Sequence, residues 1–347
     1  MTANIRDEFT APLPLIQAPM AGVQDAALAI AVHGAGGLGS LPAAMLSPEQ
    51  LAVELAKLKA AAGTAFNVNF FCHVEPAPDA EAEQRWRDAL LPYYAEFGID
   101  PANIRPGPGR APFSHAIADI VESFRPDVVS FHFGLPPDDL LARVKGWGSR
   151  ILSSATTVDE ARWLEAKGVD AVIAQGLEAG GHRGHFLSHD LTQQMGTFAL
   201  LPQTVAAVKV PVIAAGGIAS AEGVAAALSL GAAAVQVGTA FMLCDEARTS
   251  ALHRAALQSE HARHTALTNL FTGRPARGIV NRLMRELGPL SAAAPAFPMA
   301  TSALAPLRAA AEAKGSGEFS PLWNGQNNSG CRTVQAAEQV RELTRLL

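Results

Sequence analysis

RILSSATTVDEARWLEAKGVDAVIAQGLEAGG, residues 150–181, decides how the rest of the chain is read. It opens on a short β-rich run, RILSSATT (150–157), passes through a helix-period stretch, TVDEARWLEAKG, and enters a second β-rich run, DAVIAQGLEAGG (170–181). Thr157, followed three residues later by Glu160, has the spacing of a helix capping box. The two runs start about 20 residues apart, room for one strand, one helix and two short loops. Such runs, apolar more than alternating, suit parallel strands covered by helices.

Outward from this unit the pattern repeats. Before it lie PLIQAPMAG (14–22), GGLGSLPAA (36–44), AFNVNFFCH (65–73) and DVVSFHFGLP (127–136); after it lie VPVIAAGGI (210–218) and AAVQVGTAFM (233–242). Eight strand candidates within roughly 230 residues predict an α/β protein of the (β/α)8 TIM-barrel class. A doubly wound open sheet is the alternative. It would carry a GxGxxG turn after the first strand, and QAPMAG is not one.

Three segments follow from this pattern: a barrel core at 1–244, a helical segment at 245–320 capping the C-terminal rim, and a loop and helix at 321–347 returning to the barrel. The middle segment reads as helices joined by TGRPARGIVNRL and SAAAPAFPMA. Residues 74–126 hold a helix in EAEQRWRDALLPYYAEFGID, a PGPGR turn (106–110) and a second helix near SHAIADIVESF. Insertions that follow barrel strands collect on the rim where sites form.

Composition narrows the function. The 347 residues are 49% hydrophobic and 17% charged, with 30 Gly and 23 Pro, as expected of a compact chain that turns often. The net charge of -5 leaves no basic surplus for a nucleic-acid partner. Cys72, Cys244 and Cys331 are too scattered for a disulfide framework or a zinc site and suit the reducing cytoplasm. The N-terminal MTANIRDEFTAPLPLIQAPM lacks the basic-then-apolar pattern of a secretory signal. Ala221 to Leu243 carries a single charge, Glu222, but Gly231 and Gly238 split it into a helix-like and a strand-like half, so no membrane span is expected.

The candidate chemistry sits at strand ends. AAGGI (214–218) and QVGTAF (236–241) close two neighbouring strands at the place where barrels commonly hold phosphate. The plainer reading is that Gly216, Gly217 and Gly238 only make tight turns. EAGGHRG (178–184) puts His182 after two glycines, where its ring projects over the mouth as a base or a hydrogen-bond donor. His185 and His189 make the same loop histidine-rich and allow a surface reading. The spacing HRGHFLSH has no HExxH geometry and no thiol, so no metal is expected. Asn67 and Asn69 point to one side of the third strand, and Gln175 and Gln236 add amides near the same rim. Amides, glycine turns and few charges suit flavin mononucleotide (FMN). His132, in SFHFGLP, is a substrate-contact candidate, and His73 could reach the same mouth.

These residues resemble the nitronate monooxygenases, formerly 2-nitropropane dioxygenases, which are FMN-dependent TIM-barrel enzymes. The likeness runs through QAPMAGV, VNFF, SSATTVDEARWLEAKGVDAVIAQGLEAGGHRG, VIAAGGI, QVGTAF and FTGRPARGIVN, nearly the whole chain. NFFCH (69–73) is similar to the group that oxidises propionate 3-nitronate. The resemblance implies that Pro19, Met20 and Ala21 run past the reactive edge of the flavin. It implies FMN contacts from Asn69, Gln175 and Gly180, a phosphate cradle from Gly217, Gln236, Val237, Gly238 and Thr239, and catalysis by His182. The implied reaction is oxidation of an alkyl nitronate with O2 to a carbonyl compound and nitrite. Flavin-dependent enoyl-[acyl carrier protein] and quinone reductases share this architecture and form the second reading. A phosphate-binding isomerase would want a carboxylate or lysine at the mouth, and a barrel holding FMN without turnover is a further alternative. Small molecules are the expected partners, and the sequence leaves monomer and homodimer open.

Overall fold

The computed structural model describes residues 11–105 and 110–347. The first ten residues of the stretch read for a secretory signal lie outside these, as does the PGPGR turn apart from Arg110. Eight parallel strands form one sheet: β1 (Leu15–Gln17), β2 (Ser40–Pro42), β3 (Asn67–Phe71), β4 (Val128–His132), β5 (Arg150–Ala155), β6 (Ala171–Gln175), β8 (Val212–Ala215) and β9 (Ala234–Val237). The order β1-β9-β8-β6-β5-β4-β3-β2 runs round to its start, because Leu38, just before β2, exchanges hydrogen bonds with Leu15 and Gln17 at 2.9 Å. An open doubly wound sheet would leave those two edges apart. The chain is a (β/α)8 barrel.

Alternation along the strands explains where the site lies. Val128, Leu152, Ala171, Ile173, Ile213 and Ala234 fill the barrel with Ile16 and Leu38, forming a dry plug. Two residues further along the same inward rows stand Ser130, Ser154, Gln175 and Gln236. The interior is therefore apolar at the N-terminal end and polar at the C-terminal end, on a period of two. The outward rows, Val129, Phe131, Ile151 and Val172 among them, pack beneath the helices.

The helices are α1 (Ala26–Gly34), α2 (Pro48–Ala62), α3 (Ala80–Phe97), α4 (His115–Glu122), α5 (Asp138–Gly146), α6 (Val158–Ala166), α7 (Thr197–Ala207), α8 (Ala221–Ser229), α9 (Ala251–Gln258), α10 (Arg282–Leu287), α11 (Ala300–Ala313) and α12 (Ala336–Leu343). Thr157 caps α6 as its spacing predicts, accepting the Glu160 N–H at 3.2 Å. The Glu160 carboxylate does not close the box on Thr157. It takes the Thr156 N–H at 2.7 Å and, with its other oxygen, the Phe186 N–H at 2.6 Å, tying the end of β5 to the loop after β6. The stretch 221–243 divides into α8, β9 and a 3-10 turn, and among the described residues no helix is long and apolar enough to cross a membrane.

Residues 245–320 differ from an all-helical reading. Thr265–Thr268 (β10) and Ala276–Ile279 (β11) pair antiparallel, and β11 then pairs with Gly181–His182 (β7). The linker TGRPARGIV thus carries a strand, because Ala276 to Ile279 must satisfy the exposed main chain of the His182 loop. Beyond this small sheet, α11 lies along α3: Trp86 Nε1 donates to Ala300 O at 3.0 Å, and the Tyr94 hydroxyl to Ala303 O at 2.7 Å. Two insertions from distant parts of the chain therefore share one core beside the rim.

Candidate functional site

One large cavity opens at the C-terminal ends of the strands. Asn69, Ser130, Ser154, Gln175 and Gln236 line it from the barrel side, Pro19, Met20 and Ala21 from the loop after β1, and Gly180 and His182 from the loop after β6. Gly217, Gly238 and Thr239 line its other end. Of the flavin contacts expected, Val237 alone is off the surface of the cavity: its side chain is buried in the layer beneath the helices, and its carbonyl accepts the Ala18 N–H at 2.8 Å. Asn67 and Asn69 do face one way. Asn69 lines the cavity with its amide on Ser130 Oγ at 3.0 Å, while Asn67 donates to Ser40 Oγ at 2.9 Å and stays below.

The His182 loop is held from underneath. Gln175 donates to His182 O at 3.0 Å and accepts the Gly184 N–H at 2.8 Å. Arg183, fully buried, donates to Gly176 O at 2.6 Å, Gln175 O at 2.7 Å and Gln194 Oε1 at 2.7 Å. Burial lowers its pKa to about 9, so it remains a cation at neutral pH. His132 lies with Nε2 3.2 Å from His182 O and Nδ1 3.0 Å from Ser154 Oγ. A carbonyl only accepts, so Nε2 carries the proton and Nδ1 takes the serine hydroxyl. Both nitrogens of His132 are thus engaged within the protein, although its ring lines the cavity.

The His182 imidazole stands among aromatic rings, with centroids 5.4 Å from Phe297, 5.5 Å from Trp323, 6.0 Å from Phe133 and 6.1 Å from Phe71. Its Nε2 is 2.9 Å from Thr272 Oγ1. The threonine hydroxyl donates to Arg274 O at 3.3 Å, which leaves its lone pair for an Nε2–H and assigns Nδ1 as the unprotonated nitrogen. Burial, then the positive charges of Arg110 and Arg274, hold its pKa well below the usual histidine value. The ring is neutral at physiological pH.

The remaining histidines separate from it. His73 lies edge-on to Phe297 at 4.7 Å, off the cavity, with its pKa pushed down to about 4 mainly by burial. His185 is buried, not a surface residue, with its pKa lowered to about 3, again mainly by burial. Of the histidines in that loop, only His189 is exposed.

At the opposite end, Gly216 and Gly217 have φ of +108° and +74°, conformations open to glycine. A strap from the C-terminal segment closes over them: Asn327 donates to Gly217 O at 2.9 Å, and the Gly325 N–H to Thr239 Oγ1 at 3.0 Å. Gly180 is packed beneath this strap, where a Cβ would meet Gly325 N at 2.6 Å. Gln236 Oε1 is buried at the cavity with no donor opposite it among the described residues. An unpaired buried amide oxygen is costly and marks a place for a ligand N–H.

A family model described as nitronate monooxygenase matches residues 4–345. The chain belongs to that family. The nitronate monooxygenases are flavoenzymes, and those of Paraburkholderia phytofirmans and Pseudomonas aeruginosa are each 42% identical to it. The first match covers 96% of this chain and 92% of the relative; the second covers 97% and 98%. Among solved structures, nitroalkane oxidase from Streptomyces ansochromogenes superposes with a TM-score of 0.88 at 40% identity, covering 99% of this chain and 97% of that one. FabK from Thermotoga maritima gives 0.72 at 25% identity over 98% and 94%.

Several residues in and around the cavity escape a reading by strand ends. Thr272 and Arg274 lie in FTGRP, Phe297 in the Ala/Pro-rich linker, Trp323 and Asn327 beyond it, and Arg110 at the end of PGPGR. Arg110, Thr272, Arg274 and Phe297 lie in motifs without an assigned element, and Trp323 and Asn327 in the loop of the C-terminal segment, since each arrives at the rim from outside the strand ends.

Proposed function

We propose that the cavity binds FMN and that the protein oxidises an alkyl nitronate, propionate 3-nitronate foremost, with O2 to a carbonyl compound and nitrite. Two nitronates and one O2 then give two carbonyl compounds and two nitrites. The observation that carries the reading is His182, a neutral imidazole with Nδ1 uncommitted, inside an aromatic cage at the mouth of a cavity whose far wall is glycine.

The residues present fit the flavin. Gln236 Oε1 lacks the donor that an N–H of the isoalloxazine edge provides. Gly217, Gly238 and Thr239 offer a small-residue turn for a phosphate, with Val237 contributing main chain only, and Pro19, Met20 and Ala21 wall the ring edge. Asn69, Gln175 and Gly180 are assigned flavin contact. The strap bond from Asn327 to Gly217 closes the phosphate end, which favours the mononucleotide over FAD. Bound there, FMN supplies the one-electron oxidation of the nitronate. The segments divide the labour: 1–244 holds the cofactor, 245–320 caps the substrate and 321–347 supplies the strap.

The protein's own part is positioning and proton transfer. The aromatic cage excludes water from the space beside His182 and favours a small, charge-delocalised substrate. With a neutral nitroalkane, Nδ1 takes the α-proton, and the nitronate formed beside it stabilises the imidazolium. With a nitronate already formed, that step is not needed, and His182 orients the anion. His132 holds the loop through His182 O and meets substrate with its ring alone.

Heat-released supernatant should contain FMN, and FAD there would overturn the cofactor assignment. Propionate 3-nitronate should bleach the flavin anaerobically while NADH and NADPH do so slowly or not at all. Rapid bleaching by either nucleotide would move the protein to the reductase reading.

A further inference from the structure

Among the described residues that line the cavity, Arg110 is the one side chain with a permanent charge, and no carboxylate lines it. Arg110 is not at the phosphate end, where Gly217, Thr239 and Asn327 lie. It sits by the cap: Nη1 donates to Thr301 Oγ1 at 3.1 Å, and Cζ is 6.0 Å from the Phe297 ring. His182 packs on that same ring at 5.4 Å, so imidazole and guanidinium flank Phe297. Thr301 donates in turn to Phe271 O at 3.1 Å, which fixes its oxygen as an acceptor and takes one of the five donors of the guanidinium.

Resting on the function proposed above, we propose that Arg110 is a specificity-determining residue that binds a carboxylate at the far end of the nitronate substrate. The enzyme then selects dianions whose two charges are separated by a short chain: the nitronate lies at His182 and the carboxylate at Arg110. Burial lowers the Arg110 pKa without any described acidic partner to offset it, the situation of a cation whose partner arrives with the ligand. The guanidinium fork fits a carboxylate in two-point contact. Asn69, Gln175 and Gln236 are neutral amides and cannot substitute for it.

The test compares propionate 3-nitronate with propyl 1-nitronate, which has the same chain without the acid. Arg110→Met should raise KM for the carboxylated substrate about 10- to 100-fold, the range of a charge-assisted hydrogen bond. KM for the propyl substrate should stay within about threefold, and kcat should change little for either. Arg110→Lys should recover much of the loss, which a merely structural arginine would not show. In parallel, calorimetric titration of the holoenzyme with succinate and butyrate, the unreactive carboxylate counterparts of the two nitronates, reads binding without turnover, and the Met variant should lose affinity only for succinate. Equal effects on both ligands, or none, would overturn the assignment. A wild type that turns over no nitronate would remove the functional reading, while the titration would still decide what Arg110 binds.

Discussion

At residue 182 a neutral imidazole makes a sharper prediction than a charged one would. Its pKa lies well below 6.5, so kcat/KM for a preformed nitronate should be flat between about pH 6 and 8, with no limb at the ordinary histidine value. A limb near 6.5 in initial-rate profiles would show that the ring titrates freely. With a neutral nitroalkane, His182→Ala should lose about 10²–10⁴-fold in turnover, the worth of a positioned base. With the nitronate the loss should be under about tenfold, and flavin content should be unchanged. His189→Ala, exposed on the same loop, is the control; His185 would be a poor one because it is buried. His182 was legible in the sequence from the two glycines before it. Its partner Thr272 was not, being 90 residues away and joined to it only through the pairing of β7 with β11.

The elements of the barrel were legible because each repeats one pattern: a short apolar strand, a small-residue end and an amphipathic helix. Strand β11 was not, since ARGI has no alternation and is a strand through main-chain pairing with β10 on one side and with Gly181 and His182 on the other. The strap at 324–327 read only as part of a loop for the same reason: its role comes from contacts made at the far end of the fold. That role is testable at Gly180, which packs under it. A Cβ there would stand 2.6 Å from Gly325 N and 2.7 Å from Asn324 C, backbone atoms that cannot swing aside. Gly180→Ala should displace the strap at an overpacking cost of about 1–3 kcal/mol. The FMN dissociation constant, followed by flavin fluorescence, should rise roughly 5- to 100-fold. Gly146→Ala, at the end of α5 with nothing within 4 Å of the new Cβ, should leave it unchanged.

Over the whole molecule, burial of neutral histidines couples stability to pH. His73, His185 and His253 are each at most 6% exposed, with pKa values lowered to about 4, 3 and 4, in each case chiefly by burial. His132, at about 3, and His182 shift the same way. In the unfolded chain these rings take up protons near 6.5. Below that pH the unfolded state binds more protons than the native one, so stability falls as pH falls, and the window runs from about 6.5 down to the native values of 3–4. The surface ion pairs offer little against this, being exposed and screened. Each fully linked histidine is worth about 1.4 kcal/mol per pH unit within the window, so the three deepest alone should remove several kcal/mol near pH 5.5. For a chain of this size that is a fall of roughly 5–10 °C in the thermal midpoint between pH 7.5 and 5.5. His253→Phe should recover part of the fall: its Nε2 bond to Trp323 O is lost, but so is the proton that the unfolded chain gains. Scanning calorimetry of the wild type and this variant at both pH values decides it. A midpoint flat to pH 5.5 would mean that these rings take up their protons without leaving the folded core.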